Sequence, residues 1–539
     1  FSATTASYNT AAGRSAMQEN TTGACNTAFG FSALRCNTTG ARNTASGYRA
    51  LLCATTASYN NAFGFCAGHN ITTGANNSAF GYIALVKTTT GTHNTALGNE
   101  SLACNTTGFG NTASGYRTLY NNTTGERNTA VGHLAAANTT SGRWNIAVGA
   151  CSVYANTTGS YNVGTGYRSL YNNTSGCENT VSGLYAGYGI TTGGCNVAIG
   201  ARSLECNQTT NQNVALGYQS LKNNLSYGMT AAGANSLNAN TTGTCSVAFG
   251  EAALFKNTTG NNNTALGVYA LLCNTTGPDN TFIGRCAGAL ITTAGYNVGV
   301  GGSTLKNATS ANNTAVGFAT MLSTTSGGGT ALGAYALYAN TTGVRNTASA
   351  YYSLRANSTG SDNVAYGHMS LRNNTTANYN TALGTCASHA TTTGGSNTAI
   401  GYKALLSNTT GACNTALGYA AGLAATNGLL TAVGYKALTT ATATTYSTAV
   451  GLEALCAQTT AVSNTAIGWV AGSSITTGSC NNIIGTDAGR SITTGGGNIA
   501  LGNRALQETT TASDNVAIGR QALSSDTLGA NSVAIGRAA

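Results

Sequence analysis

The stretch Asn26–Arg42 reads N-T-A-F-G-F-S-A-L-R-C-N-T-T-G-A-R, and Asn43 begins the same phrase again, N-T-A-S-G-Y-R-A-L, seventeen residues on. Taking Gly30 as position 0, a glycine preceded by a small-then-large apolar pair recurs every 17 residues from Gly13 to Gly217. It continues to Gly536 with four steps of 16. That makes 32 turns with 31 glycines, the exception being Ala350. Position −2 is Ala in 27 turns, position −1 is large and apolar in 25, and position +4 is usually Leu, as at Leu34, Leu51, Leu85, Leu102 and Leu119. Apolar clusters this short, punctuated by Gly and N-T-T-G, cannot make helices. They predict short strands with a corner between each. The chain therefore reads as all-β, a parallel β-solenoid with 17 residues per turn and about 32 turns. Stacking at about 4.8 Å per turn would make it roughly 150 Å long.

A second kind of turn supports this reading. In the turns at Gly64, Gly183, Gly284, Gly468 and Gly485 the leucine at +4 is replaced by glycine, and position +7 becomes Ile71, Ile190, Ile291, Ile475 or Ile492. Volume leaves one position and arrives at the other, as close packing demands, so +4 and +7 lie near one another at the inner wall. These turns, with a related one at Gly384, recur about every six turns, which points to copying of a block of about a hundred residues. We expect positions −2, −1 and +4 to face inward. Leu102→Asp should then cost several kcal/mol by burying an unpaired charge, whereas Asn105→Ala should be mild.

Composition narrows the function. Only 36 of 539 residues are charged, 7% against roughly 25% in an ordinary domain, while Gly reaches 72 and Pro falls to 1. Such a surface must be solvated by Asn, Thr and Ser, or by something attached to them. No apolar run approaches a membrane span, and Phe1 opens the chain without a basic-then-apolar leader. His69, His93, His133, His368 and His389 are scattered over different phases without carboxylate partners, which argues against metal or catalytic chemistry. Five aspartates cannot supply a calcium-binding β-roll. Basic residues at +2 never fall in adjacent turns, so no continuous basic stripe is expected to track a polyanion. No cofactor is expected.

Asparagine at +7 opens an N-x-[ST] sequon in fifteen turns: Asn20, Asn37, Asn105, Asn122, Asn156, Asn173, Asn207, Asn224, Asn240, Asn257, Asn274, Asn340, Asn357, Asn374 and Asn408. Asn70, Asn138 and Asn307 open one a residue earlier. Two readings stand side by side. A solvated corner bearing glycans would make a column of sugar with gaps at the isoleucine turns, hydrating a chain short of charge. Alternatively, the amides stack into an asparagine ladder. The sixteen cysteines contain no CxxC. Cys25/Cys36 and Cys195/Cys206 repeat one spacing across a corner, and Cys36/Cys53 share a phase in neighbouring turns, making these five disulfide candidates in an oxidising compartment. The alternative is cysteine as a small filler.

N-S-V-A-I-G at Asn531–Gly536, N-V-A-I-G at Asn515–Gly519 and Asn196–Gly200, and G-Y-x-[AS]-L-x-x-N-T-T-G throughout resemble the head repeats of trimeric autotransporter adhesins. They resemble still more closely the repeats of tail-fibre-like proteins that end in an endosialidase-type intramolecular chaperone. The resemblance covers essentially the whole chain and implies a left-handed parallel β-roll, three chains side by side, in an extracellular fibre at a cell or virion surface. Phe1 and Ala539 both fall within a turn. We therefore read residues 1–539 as one continuous solenoid without caps or anchor, a segment of a longer fibre or a unit stacking end to end. The function expected is a structural, adhesin-like shaft, glycan-decorated and without catalysis, self-associating as a homotrimer. The alternative is an ice- or crystal-binding solenoid using threonine ladders at −3, +8 and +9.

Overall fold

The computed structural model describes residues 5–443 and 446–539. The chain is all-β: thirty-two three-residue strands, one for each copy of the repeat, and no helix among the described residues. It divides into two compact units, the first ending at Thr276 and the second running from Gly277 to Ala539. In the first, sixteen strands from Thr10–Ala12 to Thr264–Leu266 pair parallel, each with the strand of the next turn. Register is exact, Ala28 opposite Ala45 and Ala45 opposite Ala62, because a slip by one residue would turn every core side chain outward. The second unit repeats this with sixteen strands from Thr281–Ile283 to Val533–Ile535.

Each strand covers only positions −3 to −1. The remainder of the turn is held by main-chain bonds to both neighbouring turns. Residues at +2, +4 and +12 adopt left-handed backbone, as at Ser32 (φ 55°), Leu34 (φ 50°) and Arg42 (φ 60°). These rotations aim successive amides in opposite directions. Ser32 N–H runs back to Arg14 O (2.9 Å), and Leu34 N–H runs forward to Ala50 O (3.0 Å). A leucine resists this conformation, and it persists because ladder bonds and core packing over-determine it.

The core is thin. Alanine at −2 and leucine at +4 are buried in turn after turn, as expected. The Gly/Ile exchange is also explained: a Cβ built on Gly68 would lie 3.1 Å from Ile71 Cδ1 and 2.8 Å from Leu51 Cδ2, so Ile71 fills the space a leucine leaves. Position −1 departs from expectation. Phe29 (46% exposed), Leu97 (53%) and Ile199 (44%) all face outward. Successive residues of a strand point to opposite faces, so an inward alanine at −2 puts its large neighbour outside.

Position 0 requires glycine twice over. At Gly98 φ is +138°, and a Cβ there would lie 2.4 Å from Gly115 O on the next turn. Ala350 occupies the same place at φ 112° while keeping its ladder bond to Leu332 O (2.7 Å). Strain of this kind costs about 1–3 kcal/mol. Ala350→Gly is therefore expected to slow amide exchange in the turns around residue 350, and faster exchange there would contradict the account.

Candidate functional site

Two columns of amides run inside the solenoid. The fifteen asparagines at +7 are at most 1% exposed. Asn37 Nδ2 donates to Gly40 O (2.9 Å) and to Asn20 Oδ1 (2.6 Å); Asn122 Nδ2 donates to Gly125 O (3.1 Å) and to Asn105 Oδ1 (2.8 Å). The same short loop to the residue three on is closed by Asn156, Asn173, Asn240, Asn257, Asn340, Asn357, Asn374 and Asn408. Asn20 makes it too, and Asn224 reaches Ser226 O instead. Asn274 Nδ2 donates to Asn257 Oδ1 (2.9 Å). Asn207 is turned the other way, its Oδ1 accepting from Thr210 N–H (3.2 Å).

The expectation of a solvated +7 corner is thereby corrected. Apart from Asn207, whose enclosed Nδ2 has no partner, these nitrogens are enclosed and occupied as donors, which is the asparagine-ladder arrangement. Where a column is interrupted, at Ala54, Thr139, Ile190 and Thr391, the last amide oxygen below it is left unpaired: Asn37, Asn122, Asn173 and Asn374. Asn70, Asn138 and Asn307 lie on the half-buried shoulder beside the column.

The second column, at −4, was not anticipated. Asn43 Oδ1 accepts the main-chain N–H of Asn60 (2.9 Å), while Asn43 Nδ2 donates to Ala57 O (2.8 Å) and Asn26 Oδ1 (3.2 Å). Each such amide closes one corner of the next turn. The only sequence signal was the recurrence of Asn at a phase where the sequon rarely occurs.

All sixteen cysteines carry free thiols. Cys25, Cys195 and Cys206 are exposed, and Cys36 and Cys53 are half-buried. The two proposed cross-corner pairings are not formed, because +12 and +6 belong to different parts of the turn. Cys25 N–H bonds back to Ser7 O, whereas Cys36 N–H bonds forward to Leu52 O. Cys36 and Cys53 do share a phase on adjacent turns. Burial, then Glu19 and Cys53, push the Cys36 thiol up, and burial does the same to Cys53. Cys195 is raised by its hydrogen bond to Glu178, and Cys206 by burial and then Glu205. Thiols held protonated are poor partners for exchange.

The outer wall carries an apolar stripe. Positions −1 and +1 flank the glycine and both face outward. In the first unit Phe31, Tyr48, Phe65 and Tyr82 stack with centroids 5.0–5.4 Å apart beside the pair Phe63–Phe80 at 5.0 Å. In the second, Tyr402, Tyr419 and Tyr435 stack at 5.2–5.3 Å beside exposed Leu383 and Leu417. Basic side chains at +2 cover the tyrosines, as Arg49 over Tyr48 and Lys403 over Tyr402, both at 5.1 Å. Soluble monomers rarely expose so long a contiguous apolar surface, which makes the stripe the chief candidate for contact with a partner.

Threonine hydroxyls at +8 are spent within the solenoid. Thr38 Oγ1 donates to Thr55 O (3.1 Å) and Thr106 Oγ1 to Thr123 O (3.0 Å). The threonines at +9 are exposed. Among the described residues no helix is long and apolar enough to cross a membrane. Compared with protein-family models and with curated proteins, the chain matches none.

Proposed function

We propose that this β-solenoid repeat protein is a structural, non-catalytic shaft of an extracellular fibre, in which three copies pack side by side through the stripe at −1 and +1. The observation that carries the reading is that large apolar side chains at −1 face outward in most turns of each unit, joined at +1 by stacked aromatics in runs such as Phe31 to Tyr82 and Tyr402 to Tyr435. Repetition of one mechanical contact suits a fibre, and burying these side chains would supply what the thin core of one chain lacks. The resemblance to adhesin heads and tail-fibre repeats supports the same assembly. Native mass measurement should give three times the 53.8 kDa of one chain. Replacing Phe63, Phe65, Phe80 and Tyr82 together by Ser should shift that mass toward one chain while leaving the β signature in circular dichroism unchanged. A monomeric native chain would sink the trimer.

The glycan coat is proposed in reduced form. Buried amide nitrogens at +7 cannot receive sugar in the folded turn, which leaves Asn70, Asn138 and Asn307 as the acceptors. Peptide mapping of secreted protein should find added mass at those three and none at Asn105 or Asn122. Occupancy of the +7 column would mean sugars are attached before the turns close. For the ice-binding alternative, only the −3 and +9 threonines keep their hydroxyl hydrogens for a lattice, and thermal hysteresis would decide it.

A further inference from the structure

In three consecutive turns position +5 is basic: Arg355, Arg372 and His389. Their backbones are neighbours in the ladder, Ala356 N–H bonding to Arg372 O (2.9 Å) and Asn373 N–H to His389 O (3.2 Å). Side chains of one phase therefore stack a rung apart, about 4.8 Å. Like charges so placed repel. Elsewhere the chain pairs opposite charges across a rung, as in Arg117–Glu100 (2.5 Å) and Arg345–Asp362 (2.6 Å). Here it does not. Among the described residues neither Arg355 nor Arg372 is in an ion pair. Asp362 is the only acidic residue between Asp279 and Glu453, against seven Lys and Arg, and it is held by Arg345.

The guanidinium groups are also positioned. Arg355 lies 5.1 Å and Arg372 5.5 Å from the centre of the Tyr352 ring, and Arg355 lies 5.8 Å from that of Tyr338. The Nε of each is enclosed and lacks a hydrogen-bond partner. Stacking on tyrosine fixes the planes and lowers the entropy lost on binding a planar or tetrahedral oxyanion. Burial, then Arg372 and His368, pull the His389 imidazole below its usual range, as expected where positive charge accumulates without a counter-ion.

We propose that Arg355, Arg372 and His389 form a binding site for a sulfated or carboxylated glycan lying along the solenoid axis. The spacing of one rung suits a polymer with an oxyanion on successive sugars, two met by guanidinium groups and the next by the His389 imidazole. A single-stranded nucleic acid fits less well, because guanidinium groups cover the tyrosine faces that its bases would need.

The test is calorimetric titration of the full chain with dextran sulfate. Arg355→Gln/Arg372→Gln should weaken binding at least tenfold, whereas Lys256→Gln/Lys306→Gln, which removes the same charge elsewhere, should change it less than twofold. His389→Glu, a single change at the half-buried rim, should also weaken it severalfold, with circular dichroism confirming that each variant folds. Dextran sulfate should raise the melting temperature of the parent chain and not that of the double arginine variant. The proposal is overturned by equal weakening in the lysine control, by equal affinity for neutral dextran, or by tighter binding of oligo-deoxythymidine. Displacement of dextran sulfate by inorganic sulfate at millimolar concentration would reassign the site to a free oxyanion and overturn the glycan.

Discussion

Phe282→Ala is expected to destabilise the unit spanning Gly277–Ala539 by about 3–5 kcal/mol. Gly299→Ala, a change to the commonest residue of its phase, should also destabilise it. The reason is one shared volume. Phe282 is fully buried at −2, where 27 turns have alanine, and in the next turn −2 is Gly299. A Cβ on Gly299 would lie 2.4 Å from Phe282 Cε1 and 2.5 Å from Cδ1. In the Phe282→Ala background that clash is gone and the new methyl occupies part of the cavity. Gly299→Ala should then be neutral or stabilising, a coupling of roughly 2–3 kcal/mol between contacting sites. Hydrogen exchange is the measurement of choice, since a long repeat array need not unfold as one step. Additive effects would refute the packing account.

Leu102→Asp should be of similar size, several kcal/mol, because position +4 is fully enclosed and offers a carboxylate no partner. Limited proteolysis should show new cleavage near residues 95–125, and an unchanged pattern would mean that the inner wall is not where it is placed. Asn105→Ala, expected from sequence to be mild, should not be. Asn105 Nδ2 reaches Gly108 O (3.1 Å) and Thr88 Oγ1 (3.3 Å), and its Oδ1 accepts from Asn122 Nδ2 (2.8 Å). Leaving such buried groups unpaired costs about 1–3 kcal/mol each.

Periodicity carried the architecture because in a parallel stack every residue of one phase has the same surroundings. The period of 17, the parallel solenoid, and the inward alanine and leucine followed from comparing the chain with itself. The Gly/Ile exchange already placed +7 at the inner wall, since isoleucine would not replace a solvated asparagine. The sequon pulled the reading the other way, because N-x-[ST] describes an acceptor's chemistry and says nothing of its burial. The expectation that no basic stripe exists holds at +2 and fails at +5, where Arg355, Arg372 and His389 occupy consecutive turns and the ladder stacks them a rung apart.

What tertiary structure decided was direction. Positions −2 and −1 are both apolar, and composition cannot say that one is core and the other surface. Strand alternation with alanine inside throws Phe29 and Leu97 outward. Cysteine spacing likewise counts residues along the chain, whereas thiols meet across turns, and left-handed backbone at +2, +4 and +12 sets which turn each segment faces. Sequence specifies which residues share an environment; the closed path of the backbone determines whether that environment is protein or water.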